Sequence, residues 1–105
     1  MASRVELLPE AAEDFSRLDG AIKKEVAKKI DALGANPFLG KPLGNKHGID
    51  LTGFYKRYAG NRKYRIIYRL VGEYIEVVEI IGIGKRDREE IYRIVAKRLK
   101  RQRTW

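Results

Sequence analysis

Lys63-Tyr64-Arg65-Ile66-Ile67-Tyr68-Arg69-Leu70-Val71 alternates along its length. Successive side chains of a strand point to opposite faces. Tyr64, Ile66, Tyr68 and Leu70 therefore share one face, and Lys63, Arg65, Ile67, Arg69 and Val71 the other. The first set reads as a core face, where packing is the better account of both tyrosines; the second carries three cations. Gly60-Asn61 and Gly72-Glu73 bracket the strand, predicted over Arg62–Val71, as short turns. Turns this short force antiparallel neighbours. Leu51–Ala59 and Tyr74–Ile83 thus complete a three-stranded meander, whose last strand is apolar on both faces at Ile75, Val77, Val78, Ile80 and Ile81 and should be more fully covered.

The segments around the meander read as one strand and three helices. Arg4–Leu8 is a short strand. Pro9 opens a first helix, where its missing N–H costs nothing, and Glu10, Glu13 and Asp14 suit the positive helix end. Asp19-Gly20 breaks it. A second helix over Ala21–Leu33 repeats Ile22, Val26, Ile30 and Leu33 at helical spacing. Gly34 and Asn36-Pro37 are expected to end it, and residues 34–50, rich in glycine and proline and carrying His47, to form an exposed connecting loop. After Gly82 and Gly84, Asp87 and Glu90 have capping-box spacing and open a last helix, Arg88–Lys100, with Ile91, Ile94, Val95 and Leu99 as its apolar stripe. Lys97, Arg98, Lys100, Arg101 and Arg103 read as its solvated face. The predicted order is β-α-α-β-β-β-α: an α+β fold with an antiparallel sheet, an N-terminal helical hairpin and a C-terminal helix. A length of 105 residues fits one domain, residues 1–105.

The net charge of +9 is unevenly placed. Residues 41–69 hold eight basic residues against one acidic, and residues 85–105 nine against three. Clustered positive charge predicts a polyanionic partner. There is no cysteine and one histidine, which excludes a thiol nucleophile, a cysteine zinc site and a histidine pair. No phosphate-loop or dinucleotide fingerprint is present. Neither a membrane-spanning run nor a signal peptide is read, so a cytoplasmic protein without metal or small-molecule cofactor is expected. Chemistry must then rest on Lys, Arg and Tyr. These concentrate in Gly53-Phe54-Tyr55-Lys56-Arg57-Tyr58, in Lys63–Tyr68 and in Gly84-Lys85-Arg86-Asp87-Arg88-Glu89-Glu90-Ile91-Tyr92. Neighbouring strands lie about 5 Å apart, so Lys56 and Arg65 can meet. Gathered cations repel one another unless an anion joins them, which argues for a bound phosphate.

Tyr64-Arg65-Ile66-Ile67-Tyr68 and the segment Gly84–Tyr92 resemble the RelE/ParE superfamily of bacterial toxins, and more closely its RelE branch, with element order shared over nearly the whole chain. The resemblance implies a RelE-like, microbial-ribonuclease-type fold and an mRNA interferase, a ribosome-dependent endoribonuclease. Such a toxin cuts mRNA in the ribosomal A site by 2′-hydroxyl attack on the adjacent phosphate. It implies that Lys56 activates the 2′-hydroxyl or holds the phosphate, that Arg65 stabilises the transition state, that Arg86 serves the scissile phosphate and leaving oxygen, and that Tyr92 stacks on or orients a base. Arg57, Tyr58, Lys63, Lys85 and Arg88 are the expected RNA contacts around them. The implied partners are a cognate antitoxin, the bacterial ribosome and mRNA. Where the branch has a second lysine two positions beyond the first, this chain has Tyr58, and Lys63 or Lys85 would have to supply the missing charge. The alternatives are a ParE-like inhibitor of DNA gyrase and a catalytically weak antitoxin-binding module.

Overall fold

A computed structural model describes residues 3–46, 48–85 and 90–103. Within them β1 (Arg4–Leu7) leads into α1 (Pro9–Ser16) and α2 (Gly20–Ala35). Three short strands follow, β2 (Lys41–Pro42), β3 (Asn45–Lys46) and β4 (Ile49–Asp50). The meander is β5 (Phe54–Ala59), β6 (Tyr64–Val71) and β7 (Val77–Lys85), and α3 (Glu90–Arg103) ends the order. The main sheet runs β1-β7-β6-β5-β2, and β3 and β4 form a separate hairpin.

The meander is antiparallel as its turns require, with Tyr58 opposite Arg65 and Arg65 opposite Gly84. The sheet as a whole is mixed rather than antiparallel, because β1 lies parallel to β7. No tight turn joins those two strands; two helices and the rest of the sheet separate them in sequence, so local turn geometry cannot set their direction. A bulge at Ile67/Tyr68 shifts the β6–β7 register, pairing Ile67 with Gly82 and Tyr68 with Ile80. The extra residue, Ile81, lies on β7, so the alternation of β6 survives the bulge.

Both faces of the sheet are covered. On one, Arg57 of β5 donates to the Lys29 carbonyl of α2 at 2.7 Å, and Ile22 of α2 lies against Gly60. The buried Val26, Ile30 and Leu33 of α2 belong to the same core as Ile66 and Tyr68. On the other, Gly82 and Gly84 let α3 approach closely: a Cβ on Gly82 would stand 3.1 Å from Val95, and one on Gly84 2.9 Å from Ile91. Ile91, Tyr92 and Val95 are buried there. Full burial of each large apolar side chain contributes about 1.5–3 kcal/mol.

Several local readings change, among them the start of the last strand, which is Val77 rather than Tyr74 and leaves Ile75 in the turn before it. Gly34 lies inside α2 rather than ending it. The helix runs on to Ala35, and Gly34 is buried because a Cβ there would meet the Ser3 carbonyl oxygen at 3.0 Å and Val5 at 3.3 Å. The glycine serves close approach to β1 and not a helix stop. Residues 34–50 are more ordered than a loop, since they form β2 on the sheet edge and the β3–β4 hairpin. The first turn spans residues 60–63, and Gly60, Asn61 and Arg62 all have positive φ (59°, 54° and 69°). His47 and the Asp87 cap lie outside the described residues.

Candidate functional site

Strand parity builds the site. Residues 56, 58, 65 and 67 share the α3 side of the sheet with Gly82 and Gly84. Tyr58 is its centre. Its ring centroid lies 5.1 Å from Lys56 Nζ, 5.6 Å from Arg62 Cζ and 5.9 Å from Arg65 Cζ. Arg62 reaches the ring from the turn, whose run of left-handed residues folds it back over β5. Such a conformation costs a non-glycine residue about 1–3 kcal/mol. Cations over an aromatic face are attracted by its quadrupole, by about 0.5–1 kcal/mol at exposed sites and more when dry. Three cations round one ring still repel each other, and the arrangement favours an anion between them.

Arg65 is the buried member, 4% exposed. Its guanidinium stands 4.8 Å from the Tyr92 ring centroid on α3. Tyr92 is 1% exposed, and its buried hydroxyl has no hydrogen-bond partner among the described residues. The ring offers no open face for a base. With α3 in this position the ring lies buried as a platform under the Arg65 guanidinium.

The position of α3 is fixed by a second cluster. Arg98 of α3 grips the Asp14 carboxylate of α1 with both terminal nitrogens, at 2.7 and 3.0 Å, and donates to the Ile81 carbonyl at 3.0 Å. Asp14 also accepts the Ile83 backbone N–H at 3.1 Å. Arg98 is therefore not part of a solvated helix face: its side chain is 12% exposed and ties α1, β7 and α3 together.

The structure brings together Lys56, Tyr58, Arg65 and Tyr92, and separates others. Arg57, an expected RNA contact, alternates onto the opposite face, where its guanidinium donates to the Lys29 carbonyl. Lys85 pairs with Tyr64, on that same opposite face, and borders a surface depression with Asp14 and Glu90. Lys63 is exposed in the turn, and no contact among the described residues joins it to the cluster. Neither lysine stands where a second lysine at position 58 would. Arg86 and Arg88 lie outside the described residues. One cation, Arg62, went unassigned at this site in the sequence; it needed its turn geometry to be found. Lys41, which the sequence offers with Lys46 as a ligand contact from the connecting segment, lies directly opposite Lys56 on a strand only two residues long, too short for periodicity to place it there.

Electrostatics distinguishes the far face too. The Tyr68 hydroxyl donates to the Pro37 carbonyl at 2.8 Å and accepts the Gly40 N–H at 2.9 Å. Burial pushes its pKa above the ordinary 10.0, so it stays a donor. Asp50, exposed, is held below its ordinary value by hydrogen bonds from the Thr52 hydroxyl and backbone.

Comparisons with known proteins agree with this architecture. A RelE-like toxin protein of Escherichia coli is 26% identical over 100 residues, covering 95% of this chain and all of its own. The mRNA interferase toxin RelE of Escherichia coli K12 is 26% identical over 95 residues, 85% of this chain and 88% of its own. A free-state structure of a mutant Escherichia coli RelE superposes with a TM-score of 0.73 at 23% identity, over 94% of this chain and 99% of its own. The RelBE-type toxin–antitoxin complex of Mycobacterium tuberculosis matches with a TM-score of 0.67 at 25% identity, over 82% and 100%. Residues 5–90 match the family described as the ParE toxin of the type II toxin-antitoxin system, parDE. With residues 5–90 matching that family and the whole fold matching these structures, the chain belongs to the RelE/ParE superfamily of type II toxin-antitoxin toxins.

Proposed function

We propose that this toxin is an mRNA interferase that cuts mRNA in the A site of translating ribosomes. The observation that carries the reading is the cation cluster of Lys56, Arg62 and Arg65 around Tyr58, with Arg65 held rigidly between sheet and α3. In the reaction the 2′-oxygen bonds to phosphorus as the bond to the 5′-oxygen breaks. One proton leaves the 2′-oxygen and one reaches the 5′-oxygen. Negative charge grows on the phosphoryl oxygens, and a preorganised, poorly hydrated guanidinium stabilises it more than water can. Arg65 has that role, Lys56 holds the phosphate from the open side, and Arg86 serves the leaving oxygen. Tyr92 acts through Arg65. The cytoplasm, where ribosomes work, is the place of action, and a co-encoded antitoxin is the partner that silences it.

Purified protein added to translating bacterial ribosomes, with mRNA ends mapped by primer extension, tests this. Cleavage in the A site is expected, and Arg65→Ala should slow it about 10²–10³-fold. Intact mRNA with the unaltered protein overturns the reading. The match to the ParE family favours one rival, inhibition of DNA gyrase without nuclease chemistry. Intact mRNA together with blocked supercoiling would establish that rival.

A further inference from the structure

The edge strand β2 places Lys41 directly opposite Lys56 in the antiparallel register. Directly opposed residues of an antiparallel pair project on the same face with Cβ atoms about 4.5–5.5 Å apart, and like charges there are destabilising. Neither ammonium has an ion-pair partner among the described residues, and Lys56 Nζ lies over the Tyr58 ring. The fold nevertheless fixes this pairing firmly. Tyr68, fully buried, holds the chain just before Lys41 by hydrogen bonds to the Pro37 carbonyl and the Gly40 N–H. Gly40 is the residue that fits: a Cβ there would stand 2.5 Å from the Tyr68 hydroxyl and 2.6 Å from the Lys56 carbonyl oxygen. On the far side of β2, Leu43 donates its N–H to the Phe54 carbonyl at 2.8 Å. A repulsive pair is thus clamped in place from both ends by buried groups.

We propose that Lys41 and Lys56 form a subsite for the backbone phosphate next to the scissile one, with the three donors of Lys56 bridging the two phosphates, so that the RNA strand leaves the Arg65 site across β5 and over the β2 edge. This rests on the ribonuclease reading for its substrate. An anionic oxygen between the two ammonium groups converts their repulsion into two charge-assisted hydrogen bonds, the stronger class of such bonds. The phosphate contact carries no base specificity; it sets the register of the strand. Lys41 therefore governs binding, and Arg65 the chemical step.

The test uses the full chain on ribosomes programmed with a defined A-site codon, under single-turnover conditions. Lys41→Ala should raise the half-saturating toxin concentration about tenfold, as loss of one hydrogen bond between charged groups does, with the maximal rate kept within about twofold of the starting value. Lys41→Arg should restore binding. Lys24→Ala removes the same charge from an exposed position on α2 and should change neither quantity. Cleavage by Lys41→Ala with the half-saturation of Lys24→Ala overturns the subsite while leaving the ribonuclease reading intact. If the unaltered protein leaves mRNA whole, the ribonuclease reading fails, and the subsite is read by anisotropy of a 2′-O-methyl oligoribonucleotide across a potassium chloride series. A log–log salt slope reduced by about 0.7 in Lys41→Ala relative to Lys24→Ala supports it. Equal slopes overturn it.

Discussion

The two faces of the same sheet are used in opposite ways. Toward α2, polar groups are matched within the fold: Tyr68 has a donor and an acceptor, Tyr55 stacks on it at 5.5 Å, and the Arg57 guanidinium binds a helix carbonyl. Toward α3, Lys56, Arg62 and Arg65 crowd one ring, and the Tyr92 hydroxyl is buried without a hydrogen bond among the described residues. Adjacent residues of one strand, Lys56 and Arg57, belong to different worlds. Charge count alone treats them as equal. Strand parity decides which cation holds the fold together and which meets a ligand.

The largest expected break in this contrast is Asp14→Ala. It leaves Arg98 buried without its carboxylate and frees the Ile83 N–H, and losing one partner of a buried ion pair costs about 3–5 kcal/mol. Chemical denaturation should show that loss. Hydrogen exchange should show α3 losing protection while β6 keeps its own; equal loss in both would mean that α3 is not separately tethered. Next comes Tyr68→Phe on the other face. It strips the Pro37 carbonyl and Gly40 N–H of a partner, at about 1–3 kcal/mol. It should also loosen β2 and weaken mRNA binding more than it slows cleavage. A purely global effect, lowering melting temperature with unchanged half-saturation, would mean that the two faces act independently.

The smallest effect is alkaline. The neutral Tyr68 phenol is favoured by folding, so its contribution is complete below pH 10.0 and is lost as pH rises from there through the raised folded value. Tyr68→Phe should flatten that part of the stability–pH curve. An unchanged slope would show that the phenol does not carry it.

The meander was legible in the sequence because alternation and turn residues agree over residues 60–73. The face assignment of Tyr64, Ile66 and Tyr68 followed from it. The parallel pairing of β1 was not legible, since nothing local encodes a partner at the far end of the chain. Gly34 misled for a related reason: its cause is the approach of Ser3 and Val5, contacts invisible to a reading of helix ends. At the site, Lys56, Tyr58 and Arg65 came together because register alone places them. Arg57 did not, although it belongs to the same basic run. Arg62 was missed because its reach depends on three consecutive left-handed residues, of which the sequence signals Gly60 and Asn61 but not Arg62 itself. Tyr92 was legible as a site position but its burial was not, because burial depends on how closely two glycines admit a helix.

The parallel pairing of β1 with β7 has a consequence for synthesis. Residues 4–7 find their partners only when residues 77–80 have been made and have left the ribosome, and contacts so distant in sequence close late because loop entropy opposes them. A chain emerging from its own ribosome has the helices and part of the meander before β7, the strand that joins β1 to the meander. Its arginine cluster stays unassembled until synthesis is nearly finished. A truncated product ending before β7 has neither a completed sheet nor a surface on which α3 could dock, so such a fragment cannot seat Arg65 against Tyr92.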